Sequence, residues 1–238
     1  MNIYETDKLL AEYLLFHFAK PEDILPWEFG PREALDYPVR VVSHFSEGSV
    51  SRGLDVGCAV GRSGYEMSRS CSEVIGIDYS HAFADAAEAI KEGPRTIPRL
   101  EEAHQKTELT VSLPEGIETS RCHFEQGDAM DLREDLSTFD RVLAANLICR
   151  LTHPEKFLER LSSLVNPGGE VVLATPCTWL EDFTPPENWP KGSTVEWLKE
   201  TLSADFELVT EANEPFLIRE TARKFQWTVA LVTKWRRK

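Results

Sequence analysis

The sequence has little that would place the protein in a membrane. No stretch approaches the roughly 20 consecutive apolar residues that a membrane-spanning helix needs. Charged side chains interrupt the first 20 residues, and that composition is not typical of a secretory signal peptide. We therefore expect neither a transmembrane segment nor a signal peptide.

Cysteine is sparse and scattered. None of the five cysteines forms a CxxC pair or is spaced with histidine as in a zinc site: they are Cys58, Cys71, Cys122, Cys149 and Cys177. We therefore expect no metal. An odd, dispersed set also fits poorly with a disulfide framework, so the reducing cytoplasm is the expected location.

Basic residues are outnumbered by acidic ones. The chain has 26 Lys and Arg against 40 Asp and Glu, which gives a net charge of −14. A surface this acidic repels phosphate backbones and anionic membranes. We therefore expect a small-molecule substrate, and neither nucleic acid nor a membrane as a partner. The one dense basic segment, residues 234–238, is interpreted as a solvated chain end.

The chain shows no internal repeat and no low-complexity linker, which predicts one domain over residues 1–238. Hydrophobic residues make up 42% of it, enough for a substantial core. Residues 1–48 predict an N-terminal helical cap, with helices over 7–19 and near 38–47. Residues 93–120 are polar and proline-containing, and predict an insertion with a short hairpin around 108–113.

Between these segments, apolar strands alternate with helices, a pattern typical of parallel βαβ units. The final two strands follow one another with no long helix between them, which predicts an antiparallel pair. We therefore predict an α/β, Rossmann-like fold with a seven-stranded, mostly parallel sheet and a C-terminal antiparallel pair. The predicted strands are residues 52–56, 73–78, 123–128, 139–146, 170–175, 206–210 and 225–233.

The most informative stretch is Leu54-Asp-Val-Gly-Cys-Ala-Val-Gly61, which lies between a predicted strand and a predicted helix. Glycines at such a turn let the backbone approach a ligand closely. Asp78 ends the next strand, seventeen residues beyond Gly61. At that position a carboxylate can accept hydrogen bonds from both hydroxyls of a ribose.

Two cofactor classes compete for this turn. A nicotinamide site normally keeps three glycines, so that pyrophosphate can lie on the helix N-terminus; here Ala59 replaces the middle glycine. The carboxylate of Asp55 would repel pyrophosphate, whereas it favours the ammonium group of an amino acid. The turn therefore favours the methionine end of S-adenosylmethionine over a dinucleotide.

The string Asp-x-Gly-Cys-x-x-Gly resembles motif I of the class I methyltransferases. Three further strings resemble that family in the same order: Gln126-Gly-Asp-Ala129, Phe139-Asp-Arg-Val-Leu-Ala-Ala-Asn146 and Asn166-Pro-Gly-Gly169. The resemblance implies S-adenosylmethionine as cofactor and S-adenosylhomocysteine as product. The cofactor-binding residues that it implies are Asp55, Gly57, Cys58, Ala59, Gly61, Asp78, Tyr79, Gly127, Asp128, Ala129 and Asn146.

Other strings are similar to a narrower family, the 4-mercaptohistidine N1-methyltransferases, which include the C-terminal domain of ovothiol synthases. They are Asn2-Ile-Tyr-Glu-Thr-Asp7, Ala144-Ala-Asn-Leu-Ile-Cys-Arg-Leu151, Thr175-Pro-Cys-Thr-Trp-Leu-Glu-Asp-Phe-Thr-Pro185, Glu214-Pro-Phe-Leu-Ile-Arg-Glu220 and Arg223-Lys-Phe-Gln-Trp227. This resemblance implies methyl transfer to the π (N1) imidazole nitrogen of 4-mercaptohistidine, giving ovothiol A. It also implies that a separate iron-dependent sulfoxide synthase supplies the substrate.

An amino-acid substrate needs a cation for its carboxylate, an anion for its ammonium group and aromatic walls for its ring. Asn146 is a candidate for orienting the imidazole N–H. Arg150 or Arg219 is the candidate for the carboxylate, and Glu181 or Glu220 is the candidate for the ammonium group or the released proton. The candidate walls are Trp179, Phe183 and Tyr4.

Three alternatives stay open at this stage. In the first, the methyl acceptor is another small histidine-like molecule or a thiol. In the second, the chain is a degenerate S-adenosylmethionine-binding scaffold. In the third, it is a nicotinamide dehydrogenase. Asp55 and the Asn166-Pro-Gly-Gly169 string disfavour the dehydrogenase. The intact Asp55, Gly61 and Asp78 disfavour the scaffold.

Overall fold

The computed structural model describes residues 3–238, so Asn2 of the N-terminal string lies outside the described residues. A seven-stranded sheet forms the centre of the fold, and a separate two-stranded hairpin lies outside it. The strands are β1 (Val50–Val56), β2 (Cys71–Asp78), β3 (Arg95–Glu102), β4 (Gln105–Val111), β5 (Cys122–Gln126), β6 (Phe139–Ala145), β7 (Val165–Thr175), β8 (Phe206–Arg219) and β9 (Phe225–Arg237).

The strand order of the large sheet is β5-β2-β1-β6-β7-β9-β8. The first five strands in that order pair in parallel, whereas β9 runs antiparallel to both β7 and β8. The predicted fold class is thus confirmed, including the C-terminal antiparallel pair. The order reverses direction at β1 and β6, and ligands of open α/β sheets bind beyond the carboxyl ends of strands at such a point.

Seven α-helices connect or cover these strands: α1 (Asp7–Phe18), α2 (Pro21–Ile24), α3 (Tyr37–Val42), α4 (Arg62–Met67), α5 (His81–Ala89), α6 (Pro154–Leu164) and α7 (Thr194–Leu202). One face of the sheet packs against α1, α3, α4 and α5, and the other against α6 and α7. In α6, Phe157, Leu161 and Leu164 recur at helical spacing and are fully buried, which is why this segment is a helix on the sheet.

Several boundaries differ from the sequence prediction. The insertion forms a longer hairpin than the predicted 108–113 turn, because β3 and β4 pair from Arg95–Val111 to Glu102–Gln105. The second N-terminal helix begins at Tyr37 and ends at Val42 instead of reaching residue 47. Helix α7 was not predicted, although Ser193 and Glu196 form a capping box at its start. None of the helices in residues 3–238 has the length and hydropathy that crossing a bilayer requires.

The C-terminal hairpin extends well past the edge of the sheet. Thr175, the last residue of β7, pairs with Leu231 of β9, and Leu231 pairs with Asn213 of β8. Strands β8 and β9 continue pairing from there to Arg219 and Phe225. This overhang contacts α1, which in turn contacts β3 and β4. The overhang, α1 and the small hairpin therefore lie together beyond the carboxyl edge of the sheet.

Candidate functional site

The turn between β1 and α4 has the conformation that its sequence predicts. Gly57, Ala59 and Gly61 have φ angles of 74°, 48° and 91°, all in the left-handed region. The backbone N–H groups of Gly57 and Cys58 both donate to the carbonyl oxygen of Ile77, at 2.8 and 3.1 Å. These bonds tie the turn to the end of β2, so its shape is fixed by the neighbouring strand.

The glycines of this turn are required by protein packing. A Cβ on Gly61 would lie 2.9 Å from the Cβ of Ala87 and 3.0 Å from the ring of Phe124. A Cβ on Gly57 would lie 3.0 Å from the side chain of Leu147. At Gly61 the nearest atoms belong to buried core residues, and at Gly57 they belong to the partly buried Leu147. The expectation that these glycines let the backbone approach a ligand stays a prediction.

Asp55 lies at the end of β1 and is only 1% exposed. Among the residues that the structure describes, its Oδ2 atom has no hydrogen-bond partner. Burial, and after it the negative charge of Asp78, raises the pKa of Asp55 to about 7, while a hydrogen bond from the backbone of Gly64 lowers it. A buried carboxylate with an unused oxygen is a ready partner for a cation.

Asp78 ends β2, and both of its carboxylate oxygens accept backbone hydrogen bonds. Oδ2 accepts from the N–H of Ala59 at 2.8 Å, and Oδ1 accepts from the N–H of Ser80 at 2.9 Å. Burial raises the pKa of Asp78 to about 6, although these two hydrogen bonds act to lower it. The carboxylate is therefore held rigidly, and each oxygen keeps a lone pair for a ribose hydroxyl.

The other predicted cofactor residues surround this pair. The N–H of Gly127 donates to the carbonyl of Asp78 at 2.9 Å, which places the start of the 127–129 segment beside the end of β2. The Oδ1 atom of Asp128 accepts from the N–H of Met130 at 2.8 Å. Ala129 is buried, whereas Tyr79 is 62% exposed. The residues present thus fit S-adenosylmethionine: Asp55 matches its ammonium group, and Asp78 matches its ribose.

Asn146 follows β6 in a left-handed conformation, with a φ of 56°. Its N–H donates to the carbonyl of Ala174 at 2.7 Å, and its side-chain Oδ1 accepts from the hydroxyl of Tyr37 at 3.1 Å. The strained backbone and the tyrosine hold the amide in one orientation. Tyr37 comes from α3, more than a hundred residues earlier, and no local pattern predicted this pairing.

The structure brings together three of the predicted substrate residues, Tyr4, Arg150 and Phe183. The guanidinium carbon of Arg150 lies 4.8 Å from the centre of the Phe183 ring, and the Tyr4 ring lies 6.4 Å from that ring. The Nη1 of Arg150 donates to the carbonyls of Cys149 and Thr178, at 3.0 and 2.9 Å. Burial raises the pKa of Tyr4, opposed by the charge of Arg150 and a hydrogen bond from it.

The N-terminal segment covers the end of β2; Tyr4 in this segment was predicted as part of the site, whereas Glu5 was not. The hydroxyl of Ser80 donates to the backbone carbonyl of Tyr4 at 3.1 Å. The carboxylate of Glu5 accepts from the N–H groups of His81 and Ala82, at 2.9 and 3.2 Å. Glu5 therefore caps the first turn of α5 and places Tyr4 beside Asp78.

Two other substrate candidates lie on the loop after β7 but show different contacts. The Nε1 of Trp179 donates to the hydroxyl of Thr194 at 3.0 Å, and its ring packs edge-to-face against Trp197. Trp179 is thereby held against α7. Glu181 is exposed.

The structure does not bring Arg219 and Glu220 together with Arg150. Arg219 is 4% exposed, and its Nη2 donates to Glu101 of β3 at 2.5 Å. Glu220 accepts from Lys224 and Gln226, at 2.6 and 2.7 Å. Both residues lie on the overhang, which carries them past the sheet edge to the small hairpin.

Comparison with known proteins identifies the family. A family model described as a methyltransferase domain matches residues 27–214. Two curated relatives are the tRNA U34 carboxymethyltransferases of Idiomarina loihiensis and Alteromonas mediterranea, each 28% identical, over 169 and 166 residues. The alignments cover 65% and 63% of this chain but 45% and 43% of those proteins. The chain therefore spans less than half the length of these relatives.

Solved structures share the fold at low identity. The YcgJ protein of Bacillus subtilis superimposes with a TM-score of 0.57 at 13% identity, covering 85% of this chain and 98% of that one. The N-methyltransferase NodS of Bradyrhizobium japonicum, crystallised with S-adenosyl-L-homocysteine, gives a TM-score of 0.56 at 16% identity, covering 96% and 98%.

The family match covers most of the chain, and Asp55 and Asp78 lie at the carboxyl ends of the adjacent strands β1 and β2. The chain therefore belongs to the methyltransferase domain family and has a Rossmann-like fold.

Proposed function

We propose that this enzyme methylates the π (N1) imidazole nitrogen of 4-mercaptohistidine and so forms ovothiol A. The strings that resemble the 4-mercaptohistidine methyltransferases include residues 144–151 and 175–185. These are the loops that follow β6 and β7, and they carry Asn146, Arg150 and Phe183. The resemblance is therefore strongest where a substrate of this fold binds.

The choice of an amino-acid substrate depends on the position of the Arg150 guanidinium. Its guanidinium lies over the Phe183 ring and is fixed through Nη1 by two backbone carbonyls. A fixed, planar guanidinium beside aromatic rings suits the carboxylate of an amino acid whose own ring lies against those rings. Glu181, exposed on the same loop as Phe183, is the candidate for the ammonium group.

Asn146 is proposed to orient the imidazole. Its Oδ1 accepts one hydrogen bond from Tyr37, and a carbonyl oxygen has a second lone pair for a ring N–H. With that N–H held, the other ring nitrogen presents its lone pair to the donor's methyl group. Tyr4 covers the substrate from the N-terminal segment, in contact with the rings of Phe83 and Phe183.

The reaction needs positioning more than acid–base chemistry. Bound S-adenosylmethionine would supply an electrophilic methyl group, with S-adenosylhomocysteine as the leaving group, and Asn146 would hold the neutral imidazole nitrogen facing that methyl. After methyl transfer the ring carries one positive charge, which is relieved by loss of a proton to water or to a nearby carboxylate. In-line alignment and exclusion of water from the sulfonium account for most of the rate.

The proposed substrate is a thiolated histidine. In this proposal a separate iron-dependent sulfoxide synthase supplies it. The enzyme then acts on a small molecule in the cytoplasm.

A second candidate is transfer to a nucleoside of tRNA. The names of the two curated relatives favour it, at 28% identity over 169 and 166 residues. The net charge of −14 opposes it, because binding of a phosphate backbone depends on Lys and Arg. The small-molecule substrate therefore remains the better supported of the two.

One assay separates these candidates. The purified protein is incubated with S-adenosylmethionine and either 4-mercaptohistidine, histidine, a small thiol or unmodified tRNA, and products are resolved by mass spectrometry. We expect a 4-mercaptohistidine product heavier by one methyl group, with NMR correlations placing the methyl on N1. Turnover of histidine, the thiol or tRNA in preference to 4-mercaptohistidine would refute the proposed acceptor while leaving the methyltransferase assignment intact.

Matched variants test the role of Arg150. Arg150→Lys keeps the charge but loses the bidentate fork, and Arg150→Ala loses both, so we expect the KM for the amino acid to rise about tenfold and about a hundredfold. The affinity for S-adenosylmethionine should not change in either variant. Arg160→Ala, which removes a cation from α6 on the opposite face of the sheet, is the control.

A further inference from the structure

A cavity lies on the side of α1 that is opposite Tyr13 and His17. It has a volume of about 400 Å³ and lies between α1, the β3–β4 hairpin and the end of β8. We call it the hairpin cavity. Its lining is Asp7, Lys8, Ala11, Glu12, Leu15, Pro98, Arg99, Leu100, Ala103, Lys106, Arg219 and Glu220.

Helix α1 separates the hairpin cavity from the methyl-transfer site. Ala11, Glu12 and Leu15 are spaced along one face of the helix and line the cavity. Tyr13 points the other way, and its ring lies 6.2 Å from Tyr4 and 4.8 Å from Phe83. None of the residues assigned above to the cofactor, nor Arg150 or Phe183, lines the hairpin cavity.

Arg219 brings an incompletely paired cation to this cavity. Its Nη2 donates to Glu101 at 2.5 Å, and its Nη1 donates to the carbonyls of Asp23 and Ile24, both at 3.3 Å. Its Nε is buried and has no hydrogen-bond partner among residues 3–238. Arg219 is 4% exposed, so its unpaired N–H donor carries a desolvation penalty in the folded protein. An anionic ligand near the guanidinium would offset that penalty.

Glu12 brings an incompletely paired anion to the same cavity. Its Oε1 is buried and accepts no hydrogen bond from the described residues. The nearest cation, Lys8, is 3.7 Å away and its side chain is 71% exposed. Burial raises the pKa of Glu12, with the charge of Lys8 acting against it. The carboxylate would therefore gain from a second, closer cation.

We propose that the hairpin cavity is a second binding site, for a small α-amino acid in its zwitterionic form. Arg219 takes the ligand's carboxylate, and Glu12 takes its ammonium group. This assignment rests on the contacts of the cavity alone and does not depend on the acceptor proposed for the methyl-transfer site.

The rest of the lining fits a ligand with a modest side chain. Ala11, Leu15 and Leu100 supply apolar surface between the charged ends. A volume of about 400 Å³ is within the range of small-molecule sites and exceeds what a single ion needs. Two further charged residues of the lining are engaged in ion pairs: Arg99 with Glu101 at 2.8 Å, and Glu220 with Lys224 at 2.6 Å. Selectivity therefore depends on Arg219 and Glu12.

Calorimetric titration of the intact protein with three probes tests this site without any substitution. L-Histidine carries both charged ends, imidazolepropionate only the carboxylate, and histamine only the ammonium group. We expect L-histidine to bind about tenfold or more tightly than either half-molecule. Equal affinities for the three probes, or no heat with L-histidine at millimolar concentration, would overturn the proposal.

Substitutions then locate the binding. Glu12→Gln keeps the shape and should weaken L-histidine about tenfold while leaving imidazolepropionate unchanged. Glu159→Gln, with the same change of charge on the exposed face of α6, is the control and should change neither affinity. Histidine binding that is lost in Arg150→Ala and retained in Glu12→Gln would place the ligand at the methyl-transfer site and refute this one. The methyl-transfer assay is separate, so either proposal can fail alone.

Discussion

Asp55 and Asp78 end adjacent parallel strands, and the negative charge of Asp78 helps to raise the pKa of Asp55 to about 7, after the larger effect of burial. Two carboxylates that face one turn repel each other in the absence of a cation. In the proposed cofactor complex, S-adenosylmethionine supplies an ammonium group and a sulfonium at that turn. The pair is therefore poorly satisfied in the cofactor-free protein and well satisfied when the cofactor binds.

The first prediction concerns the pH dependence of cofactor binding. Because the ammonium group favours ionised Asp55, binding lowers the pKa of that carboxyl and releases a proton near neutral pH. We expect the affinity for S-adenosylmethionine to rise several-fold from about pH 5.5 to about pH 8. Titration calorimetry in buffers of different ionisation enthalpy measures both quantities. An affinity that is constant over this range would contradict the assigned role of Asp55.

The second prediction concerns stability without cofactor. Asp55 ionises near 3.8 in an unfolded chain but near 7 in the folded one, so its favourable contribution is complete below the lower value. That contribution is lost as the pH rises through about 7. At pH above neutrality, Asp55→Asn should therefore raise the free energy of unfolding by on the order of 2 kcal/mol.

The same Asp55→Asn variant should bind S-adenosylmethionine at least about tenfold more weakly, because the ammonium group loses its anionic partner. Urea denaturation at two pH values and a cofactor titration measure the two effects. A variant that is less stable than the wild type at high pH would show that the carboxylate has a structural partner in the folded state.

The third prediction compares two glycine-to-alanine substitutions, and separates the stability cost of a steric clash from the cost of a left-handed backbone. Gly61 and Gly168 both have positive φ, 91° and 79°, but only at Gly61 would a Cβ meet other atoms within 4 Å. We expect Gly168→Ala to cost about 1 kcal/mol, the backbone term alone. Gly61→Ala should cost about 3 kcal/mol, since Ala87 and Phe124 must move. Chemical denaturation of both variants gives the comparison, and equal costs would argue against the packing role.

The fourth prediction tests the Tyr37–Asn146 hydrogen bond. Tyr37→Phe removes the hydroxyl that holds the Asn146 amide, so we expect kcat to fall about tenfold with little change in cofactor affinity. Tyr65→Phe is the matched control, because the Tyr65 hydroxyl donates to the carbonyl of Ala87 at 2.6 Å, within the core. The control should lose about 1 kcal/mol of stability and keep its kcat. A similar loss of kcat in both variants would assign Tyr37 a structural role only.

Local patterns made much of the site predictable. The strand–turn–helix around Asp55 and Gly61 and the position of Asp78 depend on short-range spacing, and the structure places them at neighbouring strand ends. The reason that Gly61 must be glycine was not predictable in this way. Its neighbours Ala87 and Phe124 come from other elements, and their approach is set by packing.

The substrate side depended more on long-range contacts. Arg150 and Arg219 were both candidates in the sequence for the substrate carboxylate, and the apolar run before Arg150 slightly favoured it. The structure separates them because β8 continues past the sheet edge and pairs Arg219 with Glu101. The covering of Asp78 by Tyr4 and Glu5 likewise depends on contacts between residues about 75 apart.

By itself, the sequence determined the order along the chain of the strands in the large sheet and the antiparallel pair at its end, because both follow from local periodicity. It also determined the acidic turn after β1, because that turn follows from local charge and glycine spacing. Only the tertiary structure decided which cations and aromatic rings lie together: the overhanging hairpin and the position of α1 divide the charged candidates between the methyl-transfer site and the hairpin cavity. That division depends on how far β8 and β9 remain paired and on which face of α1 is buried. Both depend on packing between distant parts of the chain.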